Sequence, residues 1–110
     1  MAASQEVRGI IQGIVRKLQA DYQPQKVILF GSQCHGTPRR DSDIDLLVIK
    51  ETPERFIDRW VTVRRILSDP QRTVPIETIV LTPGEVSKRL AMGDQFVEEI
   101  MRDGEVLYAA

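Results

Sequence analysis

A chain of 110 residues, 42% hydrophobic and 28% charged, has the length of one domain and the composition of an ordinary folded one, not of a disordered or fibrous segment. Its formal net charge of −1 supplies no global field toward nucleic acid or anionic membrane, so any anion site has to be built locally. A single cysteine, Cys34, and a single histidine, His35, exclude an internal disulfide and a His-rich zinc site, and point to a reducing, cytoplasmic setting.

The opening stretch MAASQEVRGI has neither the basic nor the apolar region of a secretory signal, and no apolar run is long enough to span a bilayer. We therefore expect one soluble domain over residues 1–110. Val7, Ile10, Ile11, Ile14, Val15 and Leu18 recur at helical spacing, which predicts an amphipathic helix over 5–20, ended by Pro24. The run Lys26 to Phe30 (KVILF) is short, continuously apolar and followed by glycine, as a buried strand would be. A second strand is predicted over Asp43 to Lys50 (DIDLLVIK).

Thr52-Pro53-Glu54 reads as a helix start, with threonine as N-cap and proline in the first turn. On that helix Phe56, Trp60, Val63 and Leu67 form a stripe expected to face the core, joined by Ile57, Val61 and Ile66. Thr73 to Leu81 (TVPIETIVL), rich in β-branched residues, predicts a third strand. Thr82-Pro83-Gly84-Glu85 repeats the helix-start signal with capping-box spacing, and helical character continues with a break near Gly93. The tail GEVLYAA predicts a short edge strand. The expected fold class is α/β, with helices flanking a small mixed sheet.

Chemistry concentrates where the second strand begins. Strand alternation puts Asp43 and Asp45 on one face about 7 Å apart, where their repulsion at an effective dielectric near 20 is roughly 2–3 kcal/mol. Two readings offset that cost: a wet loop that precedes the strand, or a divalent cation that prefers carboxylate and phosphate oxygens. Glu77, set among apolar and β-branched residues, is either the exposed position of an edge strand, as Pro75 allows, or a third carboxylate in the same pocket. Asp41 shares the parity of Asp43 and Asp45 and is a rival ligand. Gly31-Ser32, directly after the first strand, permits close backbone approach and supplies a small donor to an anion, or is simply a turn. Arg39 and Arg40 are solvated charge or a phosphate contact.

The pattern G-S-x10-D-x-D, from Gly31-Ser32 to Asp43-Ile44-Asp45, resembles the signature of the polymerase-β-like nucleotidyltransferase superfamily. The fuller string LFGS…G…SDIDLLV looks like its minimal nucleotidyltransferase (MNT) branch. The resemblance implies a polymerase-β-like fold in which two Mg²⁺ ions serve transfer of a nucleoside monophosphate from a nucleoside triphosphate, ATP here, to a hydroxyl. It implies that Asp43, Asp45 and Glu77 hold metal, with Glu77 assisting deprotonation, and that Gly31 and Ser32 hold the triphosphate. Where relatives read GSRARG, this chain has Gln33 and His35 in place of two arginines, which leaves Arg39 as a cation for the phosphates. The resemblance further implies a HEPN-domain toxin as hetero-oligomeric partner, modified on a tyrosine by an antitoxin that binds neither membrane nor nucleic acid. The alternatives are an antitoxin that neutralises its partner by binding alone and a stand-alone small-molecule nucleotidyltransferase.

Overall fold

The computed structural model describes residues 5–31 and 43–110. Four strands form one mixed sheet in the order β3-β2-β1-β4. These are β1 (Lys26–Phe30), β2 (Ile44–Ile49), β3 (Ile76–Leu81) and β4 (Glu105–Ala109). β1 pairs antiparallel with both β2 and β4, while β2 and β3 run parallel. The helices are α1 (Gln5–Asp21), α2 (Phe56–Ile66), α3 (Pro83–Ala91) and α4 (Gln95–Asp103).

Alternation along each strand splits the interior into two layers. Ile44, Leu46 and Val48 of β2 pack with α1 through Val7, Ile11, Ile14 and Leu18, and with α2 through Val63. Leu47 and Ile49 point the other way and pack with Ile28 and Leu81 against Val86 of α3 and Val97 and Ile100 of α4. Strands buried on both faces read as continuous apolar runs, which is why KVILF and LLVI were legible.

The helix ends follow capping chemistry. α1 stops one residue before Tyr22, and Gln23 takes a positive φ of 57° while its N–H reaches the Leu18 carbonyl at 2.8 Å. Thr82 and Glu85 form the predicted capping box at α3: Glu85 N–H donates to Thr82 Oγ1 at 3.1 Å, and Thr82 N–H donates to Glu85 Oε1 at 2.8 Å. The break near Gly93 is also present, with φ 77° at Gly93 and Asp94 capping α4 through Val97 N–H at 3.1 Å.

Four expectations are corrected. α2 does not start at Thr52-Pro53. Its N-cap is Arg55, and Thr52 Oγ1 only accepts from Glu54 N–H within a turn. The cause is Arg59, whose Nε takes the Glu54 carbonyl at 2.8 Å, so helical bonding begins with Arg59 N–H to the Arg55 carbonyl. The same residue resets the inner face of the helix. Arg59, only 6% exposed, also pairs with Glu85 at 2.6 and 3.2 Å and reaches the Val80 carbonyl at 3.3 Å. The inward positions are thus Arg59, Val63 and Leu67, while Phe56, Ile57 and Val61 are exposed and Trp60 is half-buried. β2 begins at Ile44, which leaves Asp43 just outside it, and β3 begins at Ile76, after Pro75.

Candidate functional site

The end of β1 and the starts of β2 and β3 meet at one end of the sheet. Phe30 pairs with Asp45, and Asp45 pairs with Glu77, so the three form a single row across three strands. All three lie on the face that carries α3 and α4, because they alternate with residues of the opposite layer. Asp43 precedes β2 by one residue and is exposed; Asp45 is half-buried; Glu77 is exposed on an edge strand. Both readings of Glu77 therefore hold at once: it sits on an outer strand, and it lies beside Asp45.

Gly31 closes the row at β1. Its φ of 77° is a left-handed conformation that favours glycine, and a Cβ there would run into Asp45 Oδ2, with Asp45 Cγ only 3.1 Å away. The backbone at Gly31 and the Asp45 carboxylate are thus in direct apposition, a placement that the turn reading of Gly-Ser does not require. Next to it, a cavity of about 260 Å³ is lined by Phe30, Gly31, Phe96, Glu99, Ile100 and Gly104. Phe30 and Phe96 meet edge to face at 5.6 Å on its wall. Ser32 and Arg39, with Gln33, His35 and Asp41, lie outside the described residues.

Electrostatics at the row is one-signed. Burial first, then the charges of Asp43 and Glu77, push the Asp45 carboxyl above its ordinary value. Among the described residues none of the ion pairs involves Asp43, Asp45 or Glu77. Neighbouring carboxylates with no counter-charge among the described residues are donors of the kind a hard divalent cation takes. Among the described residues no group of three or more His, Cys, Asp or Glu is placed to hold a metal ion by itself. An open site of this kind fits Mg²⁺, which is usually held by one or two carboxylates together with waters and substrate phosphates.

Sequence reasoning missed the outer side of β3. A cavity of about 490 Å³ extends from α2 to the start of β3, and Trp60, Arg64, Arg72, Ile76, Glu77 and Thr78 are among the residues that line it. The Arg64 guanidinium lies 5.0 Å from the centre of the Trp60 ring. The Trp60–Arg64 spacing, one turn apart on a helix, was the available signal.

Comparison with known proteins bears on the family and the fold. The model of the family described as "Polymerase beta, Nucleotidyltransferase" matches residues 12–110. A Methanocaldococcus jannaschii protein named "putative protein adenylyltransferase" is 41% identical over 64 residues, 56% of this chain and 44% of the relative. The aligned region thus spans less than half of that relative's length. A crystal structure titled as a putative nucleotidyltransferase from Sulfolobus solfataricus superposes with a TM-score of 0.66 at 21% identity, covering 94% of this chain and 82% of that one, and so shows the shared fold.

Proposed function

The chain belongs to the polymerase beta nucleotidyltransferase family, and from that premise we propose that it is a Mg²⁺-dependent protein adenylyltransferase. It moves AMP from ATP to a tyrosine hydroxyl of a HEPN-type toxin and thereby acts as its antitoxin. The observation that carries this reading is the pairing of Asp45 with Glu77 across β2 and β3, with Gly31 set against Asp45 just past the end of β1 and Asp43 beside it. The name of the archaeal relative supports a protein as acceptor.

In this reading Gly31, with Ser32 and Arg39, receives the triphosphate, since a glycine backbone lets phosphate oxygens approach closely. Asp43, Asp45 and Glu77 would hold two Mg²⁺ ions together with the phosphates and water, and these would supply charge neutralisation for the transferring phosphoryl group. The tyrosine Oη attacks the α-phosphorus, the bond from that phosphorus to the bridging oxygen breaks, and pyrophosphate leaves with the electron pair. The phenolic proton passes to the Glu77 carboxylate and on to water. Glu77 suits that task because it is exposed on the outermost strand, where an incoming hydroxyl meets it first.

The test is incubation with α-labelled ATP, Mg²⁺ and the partner protein, followed by mapping of the label. Label on a partner tyrosine is expected from the wild-type chain. Its absence there, or equal label from the Asp43→Ala/Asp45→Ala double variant, refutes the reading. A second reading, neutralisation by complex formation alone, is favoured by the exposed α2 stripe of Phe56, Ile57 and Val61, at 52%, 56% and 39% exposure. It requires the double alanine variant to protect cells from the toxin as well as wild type does.

A further inference from the structure

Resting on the transferase reading, we propose that the open edge of β3 captures the acceptor as an added β-strand, with its tyrosine beside Glu77 and acidic residues on either side of that tyrosine. β3 is the outermost strand, and its inner side is taken by β2. Ile44 N–H donates to the Pro75 carbonyl and Lys50 N–H to the Leu81 carbonyl, so residues 75, 77, 79 and 81 turn their backbone groups inward. The backbone groups of Ile76, Thr78 and Val80 therefore point away from the sheet. Arg59 Nη1 occupies the Val80 carbonyl at 3.3 Å. The N–H and C=O groups of Ile76 and Thr78 remain, with no partner among the described residues. Such an edge is a template for one short extended segment.

The side chains around this edge define what the segment carries. A residue placed opposite Glu77 shares its face of the sheet, and the strand spacing of about 4.8 Å brings a tyrosine there within reach of the carboxylate row. Its two neighbours in the segment point to the opposite face, where the 490 Å³ cavity opens beneath α2. That cavity presents two cations, Arg64 and Arg72, and neither is in an ion pair among the described residues. Arg72 donates one Nη1–H to the Leu67 carbonyl at 2.6 Å, which fixes its head group at the cavity wall. Asp69 also lines the cavity, with its carboxylate engaged by Gln71 N–H at 2.9 Å. Arg64 over the indole of Trp60, with Arg72 on the same cavity wall, selects acidic or acidic-aromatic side chains. A peptide is favoured over RNA because the edge offers strand hydrogen bonds and the chain as a whole carries a net charge of −1. The other open edge, β4, lies on the far side of β1 from the carboxylates, and its first residue, Glu105, is held by Arg8 of α1 at 2.7 Å.

Trp60 is the only tryptophan, so occupancy of the cavity is readable from its emission without any turnover. The probes are a nonapeptide with a central Glu-Tyr-Asp, its Lys-Tyr-Lys counterpart, the acidic peptide N-methylated on alternate residues in both registers, and poly(A) RNA. The acidic peptide is expected to shift Trp60 emission saturably. N-methylation of the peptide, or Arg64→Glu in the exposed wall of the cavity, is expected to weaken that binding by about tenfold or more. With Mg²⁺ and labelled ATP, AMP is expected on the peptide tyrosine, and Glu77→Gln is expected to abolish the label while leaving the emission shift intact. Equal binding of the methylated or lysine-flanked peptides, preference for poly(A) RNA, or an emission change that tracks protein concentration alone, as in edge-to-edge pairing of two copies, overturns the proposal. Binding without label overturns the transferase reading and leaves the docking edge standing, whereas label indifferent to Arg64 and to N-methylation does the reverse.

Discussion

Replacing Gly31 by alanine tests the apposition on which the candidate site depends. At a φ of 77° an alanine bears a left-handed cost of about 1–2 kcal/mol, partly offset by about 0.4–1 kcal/mol from a less flexible unfolded chain. The new Cβ also runs into Asp45 Oδ2, so the carboxylate has to leave its rotamer for roughly another 0.5–1.5 kcal/mol. The net expectation is a loss of about 2 kcal/mol, or a melting temperature lower by roughly 8 °C. In an Asp45→Ala background the obstructing carboxylate is gone, and the same substitution is expected to cost only about 1 kcal/mol. Urea unfolding followed by Trp60 emission measures both arms of this cycle. Moving Asp45 by about an ångström is also expected to cost on the order of a hundredfold in AMP transfer. Equal costs in the two backgrounds, or wild-type transfer by Gly31→Ala, would refute the claim that Gly31 is there to admit Asp45.

Two further expectations concern the charges. Asp45→Asn is expected to raise stability at neutral pH by about 0.5–1 kcal/mol while abolishing transfer, because burial and the charges of Asp43 and Glu77 all disfavour the ionised side chain; urea unfolding reads the first effect and label transfer the second. Arg59→Met strips Glu85, the Glu54 carbonyl and the Val80 carbonyl of one donor, with an expected loss of about 3 kcal/mol after allowance for the partly exposed Glu85. The Arg59 guanidinium, with help from the Thr82 N–H, outweighs burial and holds the Glu85 carboxyl below its ordinary value. That stabilisation is present in full above the ordinary carboxylate pKa and is lost as the pH falls through the depressed one, so an acid-unfolding series is expected to show this dependence in wild type and not in Glu85→Gln.

Much of the architecture was legible because it is local. The 3.6-residue period of α1, the unbroken apolar runs of β1 and β2, the Thr82–Glu85 box and the stop at Gly93 are each decided within a few residues. The Asp43–Asp45 pair was legible for the same reason, as a charge that local strand formation does not explain. Whether Glu77 would meet Asp45 was not legible, because parallel pairing of β2 and β3 is set by a crossover through α2 and by burial on both faces of the sheet. The inner face of α2 was misread because Arg59, a residue that apolar patterning assigns to solvent, is carried inward by partners at Glu54, Val80 and Glu85. Sequence by itself therefore determined the elements and the unusual carboxylates, since these depend on short-range propensity and desolvation cost. Only the tertiary structure decided that three strands would align Phe30, Asp45 and Glu77 in one row, with Gly31 against Asp45 and an open edge beside it, since register and edge are relations between distant segments.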